Sequence, residues 1–203
     1  MNKAEKTLRK KIFFKTEVGR NFAADQTETI WADAHCRLQK MYDEHSDLPE
    51  GVRMHTDGFI FPAAAIYLAI KEFDTQKAFV IMQKVMKEKS LESGRKFANF
   101  VRMPFGKKLF LKMWDSLSHK MFSDAAGFKN VFYPKQKGEF RMDITQCPYN
   151  TYLTAVGCPE LTRLFCENDV YSYSNLPGLD FIRTQTIGAG GSLCDFKLAL
   201  KKS

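Results

Sequence analysis

The chain reads as an α+β domain in which N-terminal helices pack on a C-terminal antiparallel sheet of β-β-α-β-β order. Three observations carry this reading. Apolar residues recur at helical spacing through the first two-thirds of the chain. After Gly127 the spacing changes to alternation. The alternating runs are short and set off by turn residues, as at Lys137-Gly138. Residues 1–203 form one domain, with 1–125 a helical scaffold and 126–203 a thiol-rich sheet part. No internal repeat or low-complexity tract interrupts it.

Residues 1–18 are basic with a short amphipathic pattern, a frayed helix or an arm. From Asn21 to about Glu44, Phe22, Ile30, Ala34, Leu38 and Met41 follow helical spacing. Asp47-Leu-Pro-Glu-Gly51 breaks that helix. Pro62 suits a first helical turn, and Ala63 to Phe73 carries strong helix formers. Asp74 or Thr75 caps the next helix, whose apolar face holds Phe79, Met82, Val85 and Met86. Pro104 and Gly106 end it. The following helix carries a stripe of Leu109, Met113, Leu117 and Met121 beside Phe110 and Trp114.

Strands are expected at Phe128–Tyr133, around Phe140, Met142 and Ile144, at Phe181–Ile187, and along Cys194, Phe196, Leu198 and Leu200. Between the two strand pairs, Pro159 and Glu160 open a helix running to about Asn168.

Hydrophobic residues make up 44% of the chain and aromatics 13%, which excludes general disorder and supports a sizeable core. The net charge of +8 is unevenly placed: residues 1–20 carry +5, 21–70 carry −5, 71–141 carry +9 and 142–203 carry −1. The basic excess lies on amphipathic segments, away from the exposed-glycine and thiol-rich end, which argues against a nucleic-acid partner. The most apolar run, Phe59 to Ile70, is too short to cross a bilayer, which takes roughly 20 residues. No signal-type apolar run follows the charged start, so a cytoplasmic chain is expected. Five cysteines in a reducing compartment point to buried thiols, a metal or catalysis rather than a disulfide framework.

Four of those cysteines fall between Cys147 and Cys194. Cys147 sits at a strand-to-helix junction. Cys158 precedes Pro159 at a helix start, where the dipole would lower its pKa. Cys166 shares a helix face with Asp169, three residues on. Cys194 falls on the apolar parity of the last strand. Cys36 stands alone on an early helix, a small buried side chain. Cys147, Cys166 and Cys194 could converge at one end of the sheet and, with Asp169, supply a nucleophile or ligate zinc. No CxxC pair is present, and no cofactor is demanded. Arg183 is either the partner of a buried carboxylate such as Asp195 or the clamp for a substrate carboxylate. Thr184 and Thr186 fill the strand's other face. The Gly188–Gly191 turn, Gly190 included, lets backbone approach a ligand. None of the four histidines has a partner at metal spacing; His55 precedes the Asp57-Gly58 turn and the buried helix and could reach a site, but the surface reading is favoured.

The string Cys147-Pro-Tyr, Glu160-Leu161, Cys166-Glu-Asn-Asp169, Arg183-Thr-Gln-Thr-Ile187, Gly190-Gly191 and Cys194-Asp-Phe196 resembles the L-2-amino-thiazoline-4-carboxylic acid hydrolase family. The Phe61–Tyr67 run resembles that family's earlier helix. A more limited likeness is to the 4-vinyl reductase type of ligand-binding domain, whose cysteines hold zinc; here Thr186 stands where another thiol would be expected. The first resemblance implies hydrolytic opening of a cyclic amidine that bears a carboxylate, giving a carbamoyl-cysteine product. On that reading Cys166 or Cys147 attacks or activates water, and Asp169 acts as base or thiol orienter. Arg183 holds the substrate carboxylate, while Thr184, Thr186, Gly190, Cys194 and Asp195 complete the pocket. The alternative is a binding module without turnover, with zinc on Cys147, Cys166 and Cys194. A small-molecule partner is expected in either case, with no membrane; a homo-oligomer is left open.

Overall fold

The computed structural model describes residues 1–201. Seven α-helices come first: α1 (Lys3–Lys10), α2 (Ile12–Gly19), α3 (Ala24–Glu44), α4 (Glu50–His55), α5 (Phe61–Lys71), α6 (Thr75–Arg102) and α7 (Gly106–Met121). Strands β1 (Lys129–Phe132) and β2 (Glu139–Gln146) follow, then α8 (Pro148–Ala155), α9 (Leu161–Tyr173), β3 (Leu179–Ile182) and β4 (Cys194–Leu200). The strands form one antiparallel sheet in the order β1-β2-β4-β3. The α+β architecture is as the sequence predicts, except that two helices separate the strand pairs. Pro148 opens α8 where its missing N–H costs nothing, and Gly157, at φ +80, ends it in the left-handed conformation.

The local signals act where expected. The Asp74 carboxylate caps α6 by accepting the Lys77 N–H at 2.9 Å. Phe140, Met142 and Ile144 on β2, and Phe196 and Leu198 on β4, point to one buried face. α5 is buried nearly all round, because α3 and α6 both pack against it. α9 packs on α6 at Gly94, where a Cβ would stand 2.8 Å from the Tyr171 carbonyl oxygen.

Several expectations change. Residues 1–18 are not an arm: α1 and α2 bury Ala4, Leu8, Phe14 and Val18 against the other helices. Along α7, Leu109, Met113 and Leu117 face outward, because Phe110, Leu111 and Trp114 take the inner face, Phe110 against Phe97 and Phe100 and Trp114 against Tyr173 and Phe196. Cys36 is exposed rather than buried. The third strand is shorter than predicted and pairs with β4 only over Leu179–Ile182, leaving 183–186 as extended chain before a 3-10 turn at Ile187–Ala189.

One apolar cluster lies among the helices and a second lies beneath the sheet, and Tyr149 packs against both. The chemistry-bearing residues gather at this seam.

Candidate active site

Pairing of Ile144 with Cys194 sets the geometry, since Cys147 follows three residues beyond Ile144 at the same end of the sheet. Cys147 is the N-cap of α8, and α9 crosses above it with Cys166 and Asp169 one turn apart. The 3-10 turn closes the arrangement from the other side. Cys147, Cys166, Asp169, Arg183 and Cys194 line one hollow of about 280 Å³, walled by rings that include Phe59, Trp114, Phe165 and Phe196. A largely apolar hollow with a few convergent polar groups has the character of a small-molecule site.

The three thiols of the hollow are not equivalent. Cys166 and Cys194 are neighbouring thiols whose titrations are tied together, and the Cys194 thiol is the largest influence pulling the Cys166 pKa down, against the effect of burial, to about 6. The Thr186 hydroxyl, the Gly188 N–H and the Arg183 charge act in the same direction. Cys194 shifts upward beside the ionising Cys166 and through burial, and the Ile187 N–H, which donates to its Sγ at 3.2 Å, opposes the rise. Burial pushes Cys147 up to about 11, with the amides of Asn150 and Tyr149 opposing it. Cys166 is therefore the thiolate of the three at neutral pH.

The Arg183 guanidinium donates to Asp169 Oδ2 at 3.0 Å. Arg183 keeps 10% of its side-chain surface, whereas Asp169 keeps 43%, which opens onto the hollow. The hollow onto which it opens is walled by apolar rings, and this desolvation raises the Asp169 pKa to about 7; Arg183 opposes the rise and the neighbouring Cys166 adds to it. A carboxyl that shares its proton near neutrality beside a thiolate is suited to general acid–base work.

His55 lines the same hollow, so the favoured surface reading is overturned and the site reading holds. It is buried, with Nε2 2.9 Å from the Met121 carbonyl oxygen and Nδ1 3.2 Å from the Tyr149 hydroxyl. A carbonyl only accepts, so Nε2 carries the proton and Nδ1 accepts from Tyr149. Burial lowers the His55 pKa and keeps the ring neutral. The signal in the sequence was its place before the Asp57-Gly58 turn, and Thr56–Ile60 there forms a π-helical turn of the kind often found at functional sites.

Residues 53–198 match the family model of L-2-amino-thiazoline-4-carboxylic acid hydrolase. The chain belongs to the L-2-amino-thiazoline-4-carboxylic acid hydrolase family. No curated protein and no solved structure matches it. Every residue around the hollow falls within the part that defines this hydrolase family, whereas α1, α2 and α3 precede it.

Against this family background, several predicted site residues have other partners. Arg183 pairs with Asp169 and not with Asp195. Asp195 turns away from the hollow and accepts the Thr184 N–H at 2.9 Å, the Thr184 hydroxyl at 2.8 Å and the Gln185 N–H at 2.8 Å. Those bonds outweigh its burial and hold its pKa below the usual carboxylate range. Asp195 and Thr184 therefore fasten the 183–186 segment to β4. Thr186 is buried and directed at Cys166. Gly190, at φ +88, ends the 3-10 turn with nothing near it, and the close approach belongs to Gly188 instead. Cys158 is not activated: burial, the negative Glu160 beside it and no resident cation strong enough to compensate push its thiol up to about 12. Among the described residues, no three His, Cys, Asp or Glu side chains stand where they could hold a metal ion, and Cys147, Cys166 and Cys194 form no such set. No helix among these residues is long and apolar enough to cross a membrane.

Proposed function

We propose that the protein opens the ring of a small cyclic amidine carrying a carboxylate, with L-2-amino-thiazoline-4-carboxylate as the reference compound, through covalent catalysis by Cys166. The observation that carries this reading is the setting of Cys166 Sγ. It stands one helical turn from Asp169, shares the hollow with Asp169 and Arg183, and has Cys194, Thr186 and Gly188 beside it, all of which lower its pKa. A thiolate held this way is a prepared nucleophile.

In the proposed sequence, Cys166 Sγ adds to the ring carbon that bears the exocyclic nitrogen. The ring C–N bond breaks, and the departing nitrogen takes the proton of neutral Asp169. Asp169, now a carboxylate, accepts a proton from a water that adds to the same carbon. Collapse of that adduct to the carbonyl expels the Cys166 thiolate, its hydroxyl proton passes to the freed ring nitrogen, and the opened carbamoyl product leaves. One water is consumed, and both side chains return to their starting states. The same Arg183 guanidinium has N–H groups beyond its Nη1 bond to Asp169 with which to bind the substrate carboxylate. Its charge stabilises the Cys166 thiolate throughout.

The test is ring opening of L-2-amino-thiazoline-4-carboxylate by the purified protein and by Cys166→Ala. Turnover in the parent with loss of at least about a hundredfold in the variant is expected. Undiminished turnover by Cys166→Ala would remove the thiol from the chemistry.

A further inference from the structure

We propose that the hollow continues past Phe59 and Phe165 into a second compartment, built to take an apolar, anion-ended arm of the substrate. The compound acted on is then a cyclic amidine or amide longer than the bare ring acid, an inference that rests on the hydrolase reading above. Behind the two rings lies a cavity of about 200 Å³ lined by Lys11, Phe13, Phe14, Pro62 and Met86, among others. Phe59, Phe165 and Asn168 line both spaces, so these side chains are the partition between them.

The polar groups of the second space are few and unequal. Lys89 lines it, but its ammonium is held by Glu92 at 3.0 Å. Lys11 is half-buried at the junction of α1 and α2, with its ammonium 5.1 Å from the centre of the Phe59 ring. The only charge acting strongly on it is Lys10, and no carboxylate among the described residues offsets it. A half-buried cation facing an apolar space is completed by an anion. At the junction, Asn168 Oδ1 is buried without a hydrogen-bond partner. An N–H on the arm, close to the reacting ring, would satisfy it. Between these two points the walls are aromatic and aliphatic, which suits methylene groups and little else.

Straight-chain alkanoates probe the compartment without any turnover. Calorimetric titration of the full chain with butanoate, hexanoate and octanoate should show affinity rising by up to about fourfold per added methylene. Lys11→Gln should weaken octanoate by about ten- to a hundredfold, the loss of a charged partner. Ser93→Phe, which plugs the compartment without touching its charge, should do the same. Affinity independent of chain length, or octanoate binding unchanged in both variants, overturns the compartment and leaves Cys166-dependent ring opening as its own question. Lys11-dependent octanoate binding in a protein that opens no cyclic amidine overturns the hydrolase reading instead and establishes the compartment as an alkanoate site.

Discussion

Asp169 and Arg183 meet at 3.0 Å with the cation nearly enclosed and the carboxyl open to the hollow. One guanidinium thus serves two acids, the Asp169 carboxyl and the Cys166 thiol, and their titrations are tied together. Arg183→Met should raise the pH at which Cys166 becomes reactive. In the parent, the iodoacetamide rate at Cys166 should inflect near pH 6, not near the ordinary thiol value of about 8.5. In the variant the inflection should move up and the rate at pH 6.5 should fall. Alkylation followed site by site by mass spectrometry checks both, and an unshifted inflection would show that the Arg183 charge does not reach the thiol.

The same two acids set opposite pH dependences for stability. The folded Cys166 pKa lies below its unfolded value, so its contribution is complete above the unfolded pKa and is lost as pH falls through about 6. The folded Asp169 pKa lies above its unfolded value, so folding weakens as pH rises from about 4 towards 7. Cys166→Ser should therefore remove the gain in melting temperature between pH 6 and 8, as read by calorimetry at fixed ionic strength.

His55 should make the fold acid-sensitive. Its folded pKa is lowered, so the unfolded chain binds the proton more readily and stability declines as pH drops below about 6.5. His55→Leu should remove that decline. It should also cost about 2–4 kcal/mol at pH 7, because the Tyr149 hydroxyl and the Met121 carbonyl lose their partner. Chemical denaturation at pH 5 and pH 7 separates the two effects.

Gly188→Ala should harm the thiol more than the fold. A Cβ there would stand 2.9 Å from Cys166 Sγ and 3.0 Å from the Thr162 carbonyl carbon. The turn must then back away from α9, at a cost of about 1–3 kcal/mol. The Gly188 N–H leaves Cys166, and the thiol pKa rises. The expected readout is slower alkylation at pH 6.5 with a modest loss of melting temperature.

Asp195→Ala should loosen the 183–186 segment by about 1 kcal/mol, at the low end for a charged acceptor because the site is open to water. The depressed Asp195 pKa makes its contribution complete above the ordinary carboxylate pKa and lost as pH falls through its folded value. Amide exchange at Thr184 and Gln185 should accelerate in the variant; protection equal to the parent would show that β4 holds the segment by other means.

The elements of this protein were legible where neighbours in sequence decide the outcome. Alternation of Phe140, Met142 and Ile144 is imposed by a strand's two-residue period, and Asp74 caps α6 through a bond to an amide three residues away. The family string was legible too, since it is a matter of residue types in order. The three-residue step from Cys166 to Asp169 needed only helix geometry. What periodicity cannot state is which of two apolar faces meets the rest of the molecule. On α7 Phe110 stacked on Trp114, which found Tyr173 and Phe196, and the Leu109 stripe was left outside. His55 depends on Met121 and Tyr149, far along the chain, and only packing brings them together. Arg183 had two carboxylates within plausible reach. Asp195 was already occupied by the amides of its own turn, so the guanidinium crossed to α9 and settled beside Asp169. Residue types and spacing thus determined the inventory of reactive groups, while long-range packing decided which of them share a dielectric environment and hence which sulfur ionises.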